Sequence, residues 1–259
     1  MRDELTSRAQ SSRTATGDDL KLYLHDTDAE SLKALLENPN LEIPHINLIL
    51  ERLDLTPEIL TAIAAEGKWT ASEGVRLRLA RHPKTPRRIA LALLRQLFLF
   101  HLVQVALAPS APAEIRRVAE ELIITRVPHL PVGEKLTLAR RGPARVAGAL
   151  LSEGHPQASK LALGNPFLTE SQVLKVLSKA GIAERVVTAI AQHPDWSMKY
   201  NVRAALLRNP HTPLAFVHSI LPNLTMRDLK DIAGLESLAP LVRRLIQQEL
   251  NRRVGRSDA

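Results

Sequence analysis

Cysteine does not occur anywhere in the 259 residues. Disulfides, cysteine-ligated zinc or iron–sulfur centres and thiol nucleophiles are therefore excluded. Aromatic residues are also scarce, with four Phe, two Tyr and two Trp making up 3% of the chain. Runs of alternating Val, Ile, Thr and Tyr, the pattern of half-buried strands, are nearly absent. The longest apolar run, LFLFHLVQVALA at 97–108, is broken by His101 and Gln104 and is too short to span a bilayer. The opening stretch, MRDELTSRAQSSRTATGDDL, lacks the apolar centre of a secretory signal. No His-Glu-x-x-His pair, phosphate-cradling glycine loop or Gly-x-Ser-x-Gly elbow occurs, and the nine histidines form no metal motif. These absences predict a soluble, cytoplasmic, non-catalytic protein with no membrane segment, metal or small-molecule cofactor.

Leu and Ala supply most of the 45% apolar content, which suits closely spaced helices of small and medium side chains. The proline punctuation says how those helices are joined. LARHPKTP at 79–86 returns as LLRNPHTP at 206–213. Pro83 disfavours the α conformation at His82, so the arriving helix stops there. Thr85 is predicted to cap the next helix, with Pro86 at its first position, where a missing N–H does no harm. His82, His155 and His193 each precede a proline, and helix termination explains them better than ligation.

The same grammar appears in LLENPNLEIP at 35–44 and LALGNPFLTE at 161–170. Pro39 and Pro83 lie 44 residues apart, as do Pro166 and Pro210. The interval between Pro83 and Pro166 is close to twice that, with TRVPHLP at 125–131 as a degenerate copy near its middle. A period of this length predicts a helical solenoid. About five three-helix repeats are expected: 44–53, 57–66 and 72–81; 86–95, 97–107 and 112–126; 131–140, 143–152 and 155–163; 169–180, 182–192 and 196–208; 213–221, 225–233 and 238–253. Residues 27–37 would close an incomplete cap. A single solenoid domain over 21–253 is expected, between unstructured polar tails at 1–20 and 254–259. Val173, Leu174, Val176 and Leu177 fall on one helix side, as do Phe216, Val217, Ile220 and Leu221, which predicts amphipathic helices that stack.

An Asn/His–Pro joint followed by Thr–Pro resembles the leucine-rich repeat variant family and HEAT/armadillo-like α-solenoids, over roughly 27–253. The resemblance implies a right-handed all-α superhelix that binds a partner on its concave face, lined mainly by the third helix of each repeat. The cysteine cluster found beside some repeats of that family has no counterpart here. The Trp–Asn pair of peptide-gripping armadillo repeats is not reproduced, since Trp196 and Asn201 are five apart.

Charge is unevenly placed. The formal net charge is +8, and between 75 and 145 fourteen Lys/Arg face four Asp/Glu. Arg outnumbers Lys twelve to two there, which favours bidentate contact with phosphate or carboxylate. Arg76, Arg87, Arg88, Arg95, Arg116, Arg117, Arg140, Arg141 and Arg145 are the candidate anion- or partner-binding residues. Arg88 and Arg95 are expected to share a helix face, as are Arg141 and Arg145. The competing account makes this window a set of solvated outer faces, with Arg81 and Arg208 near helix C-termini where the dipole favours cations.

Three functions follow in order of preference: a protein-interaction scaffold, a nucleic-acid or other polyanion binder acting through the Arg-rich middle, and a helical DNA-repair enzyme. The last rests on similarity to HEAT-like alkylpurine DNA glycosylases, which pair a carboxylate with aromatics in a groove. Asp195–Trp196 is the local pair of that type, read more simply as an N-cap beside a packing residue. Trp69 is read as packing across a loop ahead of a Ser72 cap.

Overall fold

The computed structural model describes residues 2–236 and 238–257. Among these residues there are twenty α-helices and no strand, so the all-α expectation holds. No helix among them is long and apolar enough to cross a membrane.

The chain divides into two compact units, Met1–Thr125 and Arg126–Ala259. In the first, the helices are α1 (Arg2–Thr14), α2 (Gly17–Leu24), α3 (Ala29–Leu36), α4 (Ile43–Ile49), α5 (Pro57–Ala65), α6 (Gly67–Thr70), α7 (Glu73–Arg81), α8 (Arg87–Leu94), α9 (Leu99–Leu107) and α10 (Ala113–Arg126). The second has α11 (Val132–Arg141), α12 (Ala144–Glu153), α13 (Pro156–Leu163), α14 (Glu170–Leu177), α15 (Glu184–Gln192), α16 (Pro194–Met198), α17 (Tyr200–Arg208), α18 (Leu214–Ile220), α19 (Met226–Ala233) and α20 (Pro240–Ser257).

The two sets are copies of one another at an offset of 127 residues. Every helix from α2 to α10 begins 127 positions before its counterpart, and α1 ends 127 before α11. The packing repeats as well: α1 lies on α3 as α11 on α13, α4 on α7 as α14 on α17, and α7 on α9 as α17 on α19. No insertion interrupts the register. The 44-residue spacing is internal to each copy, between Pro39 and Pro83 in one and Pro166 and Pro210 in the other.

Each joint is held by one buried side chain working in two directions. The Asn38 Oδ1 accepts from the Asn40 N–H at 2.8 Å, while its Nδ2 donates to the carbonyls of Ser12 and Ala15, both at 2.9 Å. At the equivalent position Asn165 accepts from the Phe167 N–H at 2.7 Å and donates to Ala139 and Gly142 at 2.9 and 3.0 Å. Asn209 accepts from the His211 N–H and reaches the Leu177 carbonyl at 2.8 Å. His82 does the same with a ring: Nδ1 accepts from the Lys84 N–H and Nε2 meets the Arg52 carbonyl at 2.8 Å. Helix-end carbonyls have no partner in their own helix, and these four side chains supply one. The joint residue therefore does more than end a helix; it ties that end to an earlier one.

Thr85 differs from its expected role. Its hydroxyl donates backward to the Leu79 carbonyl at 2.7 Å, and Thr212 bonds the Leu206 carbonyl at 2.5 Å in the same way. Pro86 and Pro213 occupy the N-cap position, one residue ahead of helices that start at Arg87 and Leu214. A last-turn carbonyl of the preceding helix, which also accepts the His82 or Asn209 N–H, lies within the threonine's reach, so the hydroxyl reinforces the outgoing end instead of capping the incoming one. Caps that do accept an early N–H are Asp28, His155, Thr169 and Thr225.

Where a polar tail was expected over 1–20, the structure has α1 and the first half of α2. Ser12 is fully buried and its hydroxyl donates to the Ser31 carbonyl at 3.0 Å, while Ala15, Leu20 and Leu24 join the core. At the other end α20 continues through Ser257; residues 258–259 of the expected tail lie outside the described residues. The core of each unit is Leu, Ile, Val and Ala, including Leu35, Ile46, Ile49, Leu60 and Ile63 in the first and Val173, Val186, Ile190 and Val202 in the second, all essentially inaccessible. Burial of each large aliphatic side chain contributes about 1.5–3 kcal/mol.

Candidate functional site

The nine candidate arginines divide between the two units and are not equivalent. Arg76 is largely buried, with Nη1 donating to the Thr70 carbonyl at 2.6 Å and Nη2 to Glu73 at 2.5 Å. Its counterpart Arg203 similarly closes the Ser197 carbonyl at 2.8 Å, so this position anchors the helix start. Arg87 forms a forked pair with Glu114, and Arg117 lies 3.5 Å from Glu121. Arg116 is half-buried on α10 and Arg145 half-buried on α12. Arg141 ends α11 whereas Arg145 lies in α12, so these two do not share a helix face; Pro143 separates the helices. Arg88, Arg95, Arg140 and Arg141 are exposed, with no ion pair to any of them among the described residues. Arg140 and Arg141 flank a shallow depression floored by Leu136 and Leu161.

Asp195 and Trp196 point apart. Trp196 is buried and its indole N–H donates to the Leu163 carbonyl at 2.8 Å, whereas Asp195 is exposed. Helix α16 begins at Pro194 with His193 at the N-cap position, so Asp195 sits inside the helix instead of capping it. Trp69, in short helix α6, is buried as well.

A larger concavity lies elsewhere, in the second unit. A groove of about 860 Å³ runs between the end of α14, the loop that follows it, α17 with its joint, and the start of α19. Leu174, Ile182, Ala204 and Ala205 form an apolar floor, and Lys175, Lys179, Arg208 and His211 are basic groups along it. Gly181, in the loop, has φ +70, a left-handed conformation that glycine adopts without strain. Lys175, Lys179, Arg208 and His211 are all exposed. The Lys179 ammonium donates to the Ser152 hydroxyl at 3.0 Å, a neutral partner that leaves its charge uncompensated.

One acid, Asp228, lines the groove. It bonds the Tyr200 hydroxyl and accepts from the Thr225 hydroxyl at 2.7 Å, and the Thr225 N–H donates to Tyr200 Oη at 3.1 Å. The Tyr200 and Thr225 hydroxyls, with Arg208 and Arg227 nearby, hold its carboxyl below the usual range. The first unit makes the same tie with the roles exchanged. Glu73, counterpart of Tyr200, accepts from the Phe98 N–H at 2.8 Å and meets the His101 Nδ1 at 2.8 Å. Burial pushes the Glu73 carboxyl up, but the bonds from Phe98, His101 and Arg76 outweigh it and draw it down to about 2. In both units this cluster fixes the start of α9 or α19 against the start of α7 or α17.

None of the nine candidate arginines lines this groove. Arg208 and the alternation of Leu174 with Lys175 were the visible signals, but both lie outside the positive window. No protein-family model, curated protein or solved structure matches the chain.

Proposed function

We propose that this chain is a non-catalytic binding scaffold, built as a right-handed α-solenoid of three-helix repeats, whose second unit receives a segment of a protein partner. The observation that carries the reading is the groove along α17: an apolar floor that gains by excluding water, edged by charged groups that orient what lies on it. On the expected three-helix division α17 is a third helix, the position that the resemblance assigns to a concave face, and this supports the reading.

The test is site-directed photo-crosslinking in the intact chain. A benzoylphenylalanine at Ala205, on the groove floor, should trap one defined protein that the same residue placed at Thr61, on the exposed side of α5, does not. The purified partner should then bind the wild-type chain at moderate salt. Trapping of nucleic acid, or of the same mixture from both positions, overturns the proposal.

A second reading is supported by the unpaired, exposed Arg88, Arg95, Arg140 and Arg141: binding of a polyanion such as nucleic acid through these groups. It requires affinity for unrelated DNA that falls steeply with salt and is lost when Arg88, Arg95, Arg140 and Arg141 are replaced by Ala.

A further inference from the structure

We infer that the segment received by the second unit is an extended peptide rich in carboxylates, an inference that rests on the scaffold reading above. It comes from laying the two copies on one another. At the 127-residue offset, Glu51 corresponds to Ser178, Asp54 to Gly181, Leu77 to Ala204 and Arg78 to Ala205. In the first unit these side chains answer one another: Arg78 lies 3.6 Å from Glu51, and Arg52 pairs with Asp54 at 2.7 Å. In the second unit both acids are gone, one arginine has become alanine, and the cation at the Arg52 position remains as Lys179. Lys175 adds a charge where the first unit has Leu48.

The result is a trough from which both acids have gone while Lys179, Arg208 and the added Lys175 supply positive charge. Lys175, Lys179, Arg208 and His211 face a single acid, and Asp228 is already bonded to Tyr200 and Thr225. An occupant that supplies carboxylates restores the neutralisation that Glu51 and Asp54 give the first unit. Most of the lining is exposed, so this is an open trough. A closed pocket buries most of a small ligand, whereas a trough suits a length of chain whose apolar side chains meet the floor while its acids meet the rim. Nucleic acid fits less well. Tyr200 is the one Phe, Tyr or Trp on the lining, whereas single-strand binding stacks successive bases on several aromatic faces.

The experiment uses the full chain and a fluorescein-labelled peptide of about twelve alternating Glu and Leu residues, with Gln/Leu and Lys/Leu counterparts and an oligothymidylate of similar length. Binding is read by fluorescence anisotropy. The Glu/Leu peptide should bind, more weakly as salt rises, and the Lys/Leu peptide should not. The K175E/R208E chain should lose at least tenfold in affinity for Glu/Leu and gain affinity for Lys/Leu. S178E/A205R, which restores the first unit's pair, should also lose at least tenfold. Because all four positions lie on the trough lining and none is in the inaccessible core, the reciprocal gain by K175E/R208E shows that this chain is folded. Equal binding of Glu/Leu and Gln/Leu overturns the acidic inference and leaves the scaffold reading intact. Glu/Leu binding unchanged in both variants places the site elsewhere and overturns it too, as does an oligothymidylate that outcompetes the peptide and is itself lost in K175E/R208E. If no peptide binds and photo-crosslinking at Ala205 traps no protein, the scaffold reading falls with it.

Discussion

Protonating His82 should loosen the first unit's second joint and leave the other three intact. The imidazole is buried and both nitrogens are engaged. Because Nδ1 accepts the Lys84 N–H, it carries no proton, and Nε2 is the donor to the Arg52 carbonyl. Adding a proton at Nδ1 would set one N–H against another. Burial holds the His82 pKa below its ordinary 6.5, with Lys84 acting in the same direction and the Arg52 carbonyl opposing. The neutral ring is thus the form the fold prefers. Stability from this site is complete above about pH 6.5 and is lost as pH falls from there to the folded pKa, at up to about 1.4 kcal/mol per pH unit for one proton. Asp54, whose carboxyl the hydrogen bond from Arg52 holds below its ordinary range, stays ionised through this window.

Two substitutions bracket the effect. His82→Ala leaves the Arg52 carbonyl and the Lys84 N–H without their partner; at about 1–3 kcal/mol for each orphan, it destabilises the unit by about 2–6 kcal/mol. His82→Asn installs the residue found at the other three joints. Asn209 reaches the Leu177 carbonyl, and the offset makes Leu50 its counterpart, so the shorter side chain should bond Leu50 in place of Arg52 and cost about 1 kcal/mol. Urea unfolding between pH 5.5 and 7.5, in a Trp196→Phe background where Trp69 fluorescence reports the first unit, measures both. The wild-type chain should weaken toward pH 5.5 and His82→Asn should not. The same pH slope in both refutes the joint assignment.

Asn165→Ala removes donors from two buried carbonyls and Asn209→Ala from one, so urea unfolding should show losses of about 2–6 and 1–3 kcal/mol respectively. Trp196→Phe should cost about 1–2 kcal/mol more than Trp69→Phe in the same assay, because the Trp196 indole bonds Leu163 whereas the buried Trp69 indole N–H has no acceptor among the described residues. Glu73, drawn down to about 2, contributes stability that is complete above pH 4.5 and lost as pH falls toward 2. Glu73→Gln should therefore flatten acid unfolding of the first unit over that window, followed by Trp69 fluorescence.

The joints and helix bounds were legible because proline and the buried aliphatic face act over a few residues. The expected 57–66, 155–163 and 225–233 lie within a residue or two of α5, α13 and α19. Helix α1 was not legible because Ser, Thr, Arg and Asp dominate it, and what fixes its place is tertiary: the Asn38 amide on the Ser12 and Ala15 carbonyls. The same amide at Asn165 grips Ala139 and Gly142, so the signal was the second copy, lying 127 residues on. The 44-residue count concealed it, because that spacing exists only inside each copy. Charge counting gave the cations but not their partners; it weighed Arg76 and Arg88 alike, although one is locked to Glu73 and the other is free. The groove is made by what four positions lack, and a missing side chain is visible only against the copy that has it.

The copies have diverged along a physical boundary. A buried joint residue that fails to meet its carbonyl leaves an orphan costing about 1–3 kcal/mol, a large share of a domain's net stability. Surface exchanges usually stay within about 0.5 kcal/mol. Accordingly the joints change only between Asn and His, two side chains able to accept at one atom and donate at another. The tie of α7 to α9, and of α17 to α19, obeys the same constraint by exchanging its parts, Glu73 with His101 becoming Tyr200 with Asp228: the bond persists while its residues differ. Nothing of that kind binds Glu51, Asp54 or Arg78, whose ion pairs are surface pairs worth little to stability. These were positions a second copy could empty at almost no energetic loss, and emptying them turned a self-neutralised surface into a cationic trough.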